Sequence, residues 1–129
     1  MPGIFSKIIA GEIPCYKVHE DENCYAFLDI NPNTVGHTLC VIKKEVDKIL
    51  DLSEQDYNHL MQFSRKVAVA VQKAIPCKRV GMSIIGLEVP HVHVHLIPLN
   101  TMQDATFQKK VSLTPDEFAA TATKIQEYL

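Results

Sequence analysis

The sequence predicts an α+β fold, in which an antiparallel sheet of about five strands carries helices on one side. Short segments rich in β-branched residues follow one another along the chain and are separated by turn residues. One long amphipathic helix is predicted in the middle of the chain, and a second helix at its C-terminus. Residues 1–129 are expected to form a single domain, because about 100–200 residues are typical of one domain.

Five strands are predicted from local composition. The first two flank a polar turn at residues 21–23 and form a hairpin, and Asn31-Pro32-Asn33 interrupts the chain before the third. The last two flank residues 86–90, which predict a tight connection. The predicted strands are residues 15–20, 24–29, 37–43, 79–85 and 92–99.

Capping residues mark both predicted helices. Ser53 caps the long helix, with Asp56 three residues later, and Pro76 ends it. Thr114 caps the last helix, with Pro115 at its first position and Glu117 completing a capping box. The predicted core face of the long helix contains Tyr57, Leu60, Met61, Ser64, Val67, Ala68, Val71 and Ile75. The polar stretch 100–110 before the last helix is predicted to be a loop.

Composition excludes several classes of protein. With 47% hydrophobic and 22% charged residues, the chain is typical of a globular protein. A net charge of −2 argues against a protein that coats nucleic acid, whose binding surface is normally basic. Apolar runs stay well below the roughly 18 residues of a membrane span, and the N-terminal residues do not resemble a signal peptide. The four cysteines form no C-x-x-C pair, so we expect free thiols and a cytoplasmic location.

Three of the six histidines alternate with valines in the segment His91-Val92-His93-Val94-His95. Because successive side chains of a strand point to opposite faces, the three imidazoles are expected to share one face. Each imidazole has ring nitrogens that need partners, so a core strand would not normally fill one face with histidines. The alternation therefore indicates a functional site.

Two functions compete for such a strand. Imidazole is a common metal ligand, but His91 and His95 would lie about 13 Å apart along a strand, too far for both to reach one zinc ion comfortably. A neutral imidazole can instead attack phosphorus if its other nitrogen is held as a donor, and flanking imidazoles can contact phosphoryl oxygens and move a proton. Covalent catalysis by His93, the middle histidine, fits the spacing better, while a metal-binding module stays open as an alternative.

The segment HVHVHLIP resembles the defining motif of the histidine triad (HIT) family of nucleotidyl hydrolases and transferases. The segments FSKIIAGEIPCYKVHED and AFLDINPNTVGHTLCVIKK also resemble parts of that family, and Glu88 suits its approach to the triad. The resemblance covers roughly residues 4 to 98. It implies a HIT-like fold and the hydrolysis of nucleoside 5′-phosphate derivatives, such as phosphoramidates, through a nucleotidyl-histidine intermediate.

The resemblance implies four catalytic histidines. His93 matches the nucleophile, and His95 matches the residue that binds the phosphate and helps the leaving group depart. His91 matches the residue that shapes the phosphate site, and His37 matches the histidine that orients the nucleophile.

Substrate-binding residues are implied in the same way. Asp29 and Ile30 match positions that hold ribose and base, and Glu88, in the approach to the triad, is the third implied substrate-binding residue. The implied ligand is a purine nucleotide or nucleotide conjugate, the implied assembly is a homodimer with a continuous sheet, and the mechanism needs no metal or other cofactor.

The chain departs from the family pattern before the triad. Leu87 stands where many relatives have Gln, an Asn-containing loop before Gly86 is shortened, and Ser6 stands near a position where some relatives have a zinc-binding cysteine. Two alternatives therefore accompany the main hypothesis. One is a dinucleoside polyphosphate hydrolase or phosphorylase, and the other is a nucleotide-binding adaptor that has lost turnover.

Overall fold

A computed structural model describes residues 2–129 and contains one five-stranded antiparallel sheet. The sheet order is β1-β2-β3-β5-β4, so the last strand in sequence lies between the third and the fourth. This confirms the predicted α+β class. The elements are α1 (Ile4–Ile9), β1 (Lys17–Glu20), β2 (Cys24–Leu28), β3 (Thr38–Ile42), α2 (Glu54–Ala74), β4 (Arg79–Ser83), β5 (His93–Leu99) and α3 (Pro115–Gln126), with short 3-10 turns at Ile49–Asp51 and Met102–Ala105.

Strands β1 and β2 form the predicted hairpin. The Asp21 carboxylate accepts hydrogen bonds from the backbone N–H groups of Asn23 (2.9 Å) and Cys24 (2.7 Å), which closes the turn. The connection between β4 and β5 is longer than predicted. It runs over residues 84–92, because β4 ends at Ser83 and β5 begins only at His93.

The two predicted helices cover one face of the sheet, and their caps form as the sequence indicates. Ser53 Oγ accepts the N–H of Asp56 at 3.1 Å, and the capping box between Thr114 and Glu117 is complete. Tyr57 was expected in the core but is 42% exposed, because the buried stripe of α2 begins one turn later at Leu60. Buried residues from both helices and the sheet form the main core, among them Leu28, Ile42, Leu60, Val67, Val71, Val94, Leu96, Phe118 and Ile125.

A third helix, α1, corrects the expectation that helices lie on one side only. Its buried residues Phe5 and Ile8 pack in a second, smaller cluster with Phe27, Leu39 and Val41. Since α2 and α3 pack in the main core, α1 covers the opposite face, on which the triad histidines lie.

The start of α1 is fastened to the segment after β3. Ser6 Oγ donates to Glu45 Oε1 at 3.0 Å, and the same carboxylate oxygen accepts the backbone N–H of Gly3. Ser6, at the position where some relatives are expected to carry a cysteine, therefore helps to hold the helix that brings Phe5 to the histidines. Among the helices of residues 2–129, none is both long enough and apolar enough to span a bilayer.

Candidate active site

Strand β5 places His93 and His95 on the face opposite Val94, as the alternation predicts, whereas His91 and Val92 precede the strand. Val92 and Val94 are buried in the main core beneath the helices. His93 and His95 pair with Val41 and Leu39 of β3, which belong to the smaller cluster on the other face. Both histidines are largely covered, with 7% and 8% of their surface exposed.

His93 is held in the tautomer that a nucleophile requires. Its Nδ1 lies 2.7 Å from the backbone carbonyl oxygen of His91, and a carbonyl only accepts, so Nδ1 carries the proton. In a neutral ring, Nε2 then keeps a free lone pair. This nitrogen can attack an electrophilic phosphorus.

His91 contributes to the site through its backbone. Its ring is 1% exposed, and its Nε2 donates to the carbonyl oxygen of Ile42 at 2.6 Å. This bond fixes the chain at the point where the His91 carbonyl meets His93. The implied contribution of the His91 ring to a phosphate site stays a prediction.

A chain of hydrogen bonds also orients His95. The backbone N–H of Asn33 donates to His37 Nδ1 at 2.9 Å, so the proton of a neutral His37 lies on Nε2. That nitrogen is 2.9 Å from His95 Nδ1, which therefore accepts, and the proton of a neutral His95 lies on its Nε2. The hydrogen bond of His37 goes to His95, and the implied role of His37 in orienting the nucleophile stays a prediction.

Burial keeps His37 and His95 uncharged. Removal from water, with smaller contributions from the neighbouring histidines and from the positive charge of Lys110, lowers the pKa of His37 to about 3 and that of His95 to about 4. Burial also raises the pKa of Asp29, whose Oδ2 lies 3.6 Å from His37 Nε2. The two histidines therefore form a neutral, directional pair near pH 7.

The three predicted substrate-binding residues differ in their exposure to solvent. Asp29 is partly buried, and its Oδ1 accepts the N–H of Asn31 at 2.8 Å. Ile30 is 74% exposed, so its side chain is free to contact a ligand. Glu88 is exposed in the connection between β4 and β5. The structure thus brings Asp29 to the histidines, while the contribution of Glu88 stays a prediction.

Three further residues at the site were missed from the sequence. Phe5 packs edge-on against His93, with ring centroids 5.1 Å apart, and Phe107 packs edge-on against His95 at 4.8 Å. Asn33 fixes His37 through its backbone. Phe5 and Asn33 lie in segments that resemble the family, so these segments were the available signal. Phe107 lies in a polar stretch that gave none.

Within residues 2–129, two groups of side chains offer donor atoms within 4.8 Å of one another, as a metal site would require. They are Asp29 with His37 and His95, and Asp21 with Cys24 and His59. The first group is engaged in the hydrogen bonds described above. In the second, His59 Nε2 lies 3.1 Å from Asp21 Oδ2, and burial raises the pKa of Cys24 to about 12, which disfavours the thiolate. We interpret both groups as hydrogen-bonded clusters.

Gly36 directly precedes His37, and we expect its replacement to cause a large loss of stability. Its φ of 93° suits glycine, and an added Cβ would lie 2.7 Å from Ile75 Cγ1. We expect Gly36→Ala to lower the free energy of unfolding by about 3 kcal/mol, from backbone strain and overpacking together. Gly11→Ala is the control, because Gly11 has a φ of 81° but nothing within 4 Å, so only about 1 kcal/mol is expected. Urea denaturation measures both, and equal losses would contradict the packing argument.

Stability should also depend on pH through His37 and His95. Their pKa values are lower in the folded protein than the usual 6.5, so protons bind the unfolded chain preferentially below about pH 6.5. The free energy of unfolding should fall by up to about 1.4 kcal/mol per pH unit for each histidine as the pH drops from about 6.5 towards 4. The raised pKa of Asp29 has the opposite sign and offsets part of this loss.

Denaturation midpoints measured across this range in wild type and His95→Gln isolate one histidine. The variant should show a shallower pH dependence. If the two proteins had equal slopes, His95 would not be a neutral buried group in the folded state.

Comparison with known proteins gives matches to relatives and solved structures of one family. A protein of Borreliella burgdorferi described as an uncharacterized HIT-like protein is 34% identical over 95% of this chain and 94% of its own length. The adenosine 5′-monophosphoramidase HNT1 of Saccharomyces cerevisiae is 38% identical over 74% of this chain and 61% of its own length. The crystal structure of a Hit-like protein from Bartonella henselae superposes with a TM-score of 0.86 at 30% identity, over 98% of this chain and 96% of that one. The family model described as the HIT domain matches residues 10–102 of this chain. The chain therefore belongs to the HIT family.

Proposed function

We propose that this protein hydrolyses nucleoside 5′-phosphate derivatives, nucleoside phosphoramidates first among them, through a covalent nucleotidyl-His93 intermediate. The observation that carries the proposal is the free Nε2 of His93, whose other ring nitrogen donates to the His91 carbonyl. The similarity to a yeast adenosine 5′-monophosphoramidase supports the phosphoramidate as substrate class.

The proposed reaction has two displacements at the α-phosphorus. In the first, His93 Nε2 forms a bond to phosphorus, the bond from phosphorus to the leaving nitrogen breaks, and the amine departs with a proton delivered through His95 Nε2. In the second, water attacks phosphorus, the phosphorus–His93 bond breaks, and the proton of the water returns through His95. His95 thus gives its Nε2 proton to the leaving nitrogen in the first step and regains a proton at the same atom from water in the second, so both histidine rings end unmodified.

Charge in this scheme is carried by His95 only briefly. Burial holds the pKa of His95 at about 4 in the free protein, so the ring enters the reaction neutral, with its proton on Nε2. The hydrogen bond from His37 keeps Nδ1 of His95 an acceptor, so the proton is given and regained at Nε2, and the charge left on His95 is offset by the positive charge of the nucleotidyl-His93 ring. Every step uses side chains of this chain, and we propose no metal or other cofactor.

We propose that a purine nucleotide binds with its ribose at Asp29 and its base against Ile30. The Asp29 carboxylate lies 3.6 Å from His37 and can accept ribose hydroxyl groups, while the exposed side chain of Ile30 offers apolar surface to a base. We further propose that Glu88 contributes to substrate binding from the connection between β4 and β5, where it is exposed.

The proposed assembly is a homodimer of single-domain chains in the cytoplasm. Strand β4 forms one edge of the sheet, and edge strands offer backbone groups to a further strand. Met82 on this edge is 44% exposed, and an exposed apolar side chain there supports the proposal that a second copy of the chain covers this edge. The four free cysteines support a reducing compartment.

The test is the release of AMP from adenosine 5′-phosphoramidate, with a diadenosine polyphosphate assayed in parallel. The proposal predicts stoichiometric AMP and ammonia from the phosphoramidate, and faster turnover of it than of the dinucleotide. Faster turnover of the dinucleotide would favour a polyphosphate hydrolase.

A specific observation favours a second candidate, the nucleotide-binding adaptor. Leu87, which stands where the resemblance implies a Gln, is 91% exposed, and its side chain can make no hydrogen bond to a leaving group. The adaptor would bind AMP without turning over either substrate.

A further inference from the structure

The segment between β5 and α3 folds back over the active site. We call residues 100–111 the strap. The HIT-domain match ends at residue 102, so most of the strap lies outside it. The strap contains the 3-10 turn Met102–Ala105 and then Phe107, whose φ of 65° lies in the left-handed region. A bulky aromatic residue rarely adopts this conformation, so the surrounding contacts must hold it there.

Asn33 connects the strap to the catalytic histidines. Its side-chain Nδ2 donates to the carbonyl oxygen of Asp104 at 2.9 Å, and its Oδ1 accepts from Lys110 Nζ at 2.7 Å. The backbone N–H of the same residue donates to His37 Nδ1. Asn33 is fully buried, so two points of the strap, Asp104 and Lys110, and the His37 ring share one anchor.

Other hydrogen bonds close the strap. Asp104 Oδ2 accepts the backbone N–H groups of Asn100 (2.8 Å) and Thr101 (3.1 Å). At the far end, the N–H of Val111 donates to the Pro32 carbonyl at 3.0 Å. The strap therefore begins and ends with fixed backbone, and Phe107 lies between the two fixed ends.

The Phe107 ring is enclosed by charged and imidazole groups. Its centroid lies 4.8 Å from that of His95 and 6.0 Å from that of His37, edge-on to both, and Lys110 Nζ lies 5.0 Å from the ring centroid on its face. The ring thus covers the hydrogen-bonded pair of His37 and His95, and Lys110 holds the ring in place.

We propose that Phe107, clamped by Lys110, is a positioning residue that shields the His37–His95 pair from water and fixes the direction of His95 Nε2. This inference deepens the proposed function, on which its kinetic part rests. Because Phe107 packs against His95 and His37, it should affect proton delivery to the leaving group more than nucleotide binding.

The charged and titratable groups that face His95 come from three elements. They are His93 on β5, His37 and Asp29 at the connection between β2 and β3, and Lys110 on the strap. Without the Phe107 ring, water would reach His95 and stabilise its protonated form. The pKa of His95, now held at about 4 mainly by burial, would rise towards the ordinary value.

The test compares Phe107→Gly, Phe107→Ala and Phe107→Tyr with wild type. Glycine relieves the backbone strain, so Phe107→Gly should be at least as stable as Phe107→Ala while lacking the ring equally. Lys109→Ala changes an exposed residue of the same strap and serves as the matched control.

Two readouts are expected to move together. In NMR titrations without substrate, the His95 resonance should titrate at least one pH unit higher in Phe107→Gly and Phe107→Ala than in wild type. With adenosine 5′-phosphoramidate, kcat should fall about tenfold in both variants with KM little changed, and the acidic limb of the pH profile should move to higher pH. Phe107→Tyr keeps an aromatic ring and should therefore give values close to wild type for both the His95 titration and kcat. Lys109→Ala should leave both unchanged.

An unchanged His95 titration in Phe107→Gly would overturn the inference, whether or not the wild type hydrolyses the phosphoramidate. A shifted titration with wild-type kcat would also overturn the assigned positioning role. If the wild type itself showed no turnover, the proposed function would fail, and the titration alone would decide whether Phe107 shields His95.

Discussion

His93→Ala should reduce AMP release from adenosine 5′-phosphoramidate on the order of 10⁴-fold or more, because it removes the atom that attacks phosphorus. The substitution should leave the fold and nucleotide binding largely intact. His93 is 7% exposed, and within residues 2–129 its ring hydrogen-bonds only to the backbone carbonyl of His91, so the sheet does not depend on it. Steady-state rates and AMP binding by calorimetry measure the two effects separately.

The matched control is His59→Ala, which removes an imidazole that bonds to Asp21 away from the triad. It should keep wild-type turnover. Retention of substantial turnover by His93→Ala, with contaminating activity excluded by the same purification of both variants, would show that another group performs the attack.

His95→Gln should reduce turnover of the phosphoramidate by about 100- to 1,000-fold, the usual contribution of a positioned general acid. Glutamine can hydrogen-bond to a phosphate but cannot carry a proton to the departing amine. The loss should therefore shrink to about tenfold or less with a nitrophenyl ester of AMP, whose leaving group needs no proton.

An equal loss with both leaving groups would contradict proton delivery by His95. It would indicate that His95 contributes only to binding or to the electrostatic stabilisation of the phosphate. The ratio of the two losses is thus more informative than either rate alone.

Much of the fold could be predicted because its signals are local. The hairpin turn at Asp21 and the caps at Ser53 and Thr114 each form within a few residues, and the structure contains all three. Helix α1 was missed because the six residues Ile4–Ile9 are too few to show a helical period. The sheet order depends on long-range pairing, such as Leu39 of β3 with His95 of β5, and has no local signal.

For the candidate site, too, the sequence predicts the features that depend on local geometry and misses those that depend on distant residues. Alternation along one strand places His93 and His95 on one face, and this follows from strand geometry alone. The partner of His37 could not be predicted, because it depends on the register of β3 against β5 and on the backbone N–H of Asn33. Phe107 was missed for a related reason, since its left-handed backbone is imposed by contacts with distant residues.

The central claim is that the reaction passes through a nucleotide bound to His93, and the stereochemical course at phosphorus tests it most directly. Adenosine 5′-thiophosphoramidate of one configuration, hydrolysed in water enriched in heavy oxygen, gives a chiral thiophosphate whose configuration can be read. Two successive in-line displacements predict retention of configuration, even if the intermediate never accumulates. Inversion would show a single direct attack by water and would contradict covalent catalysis by His93.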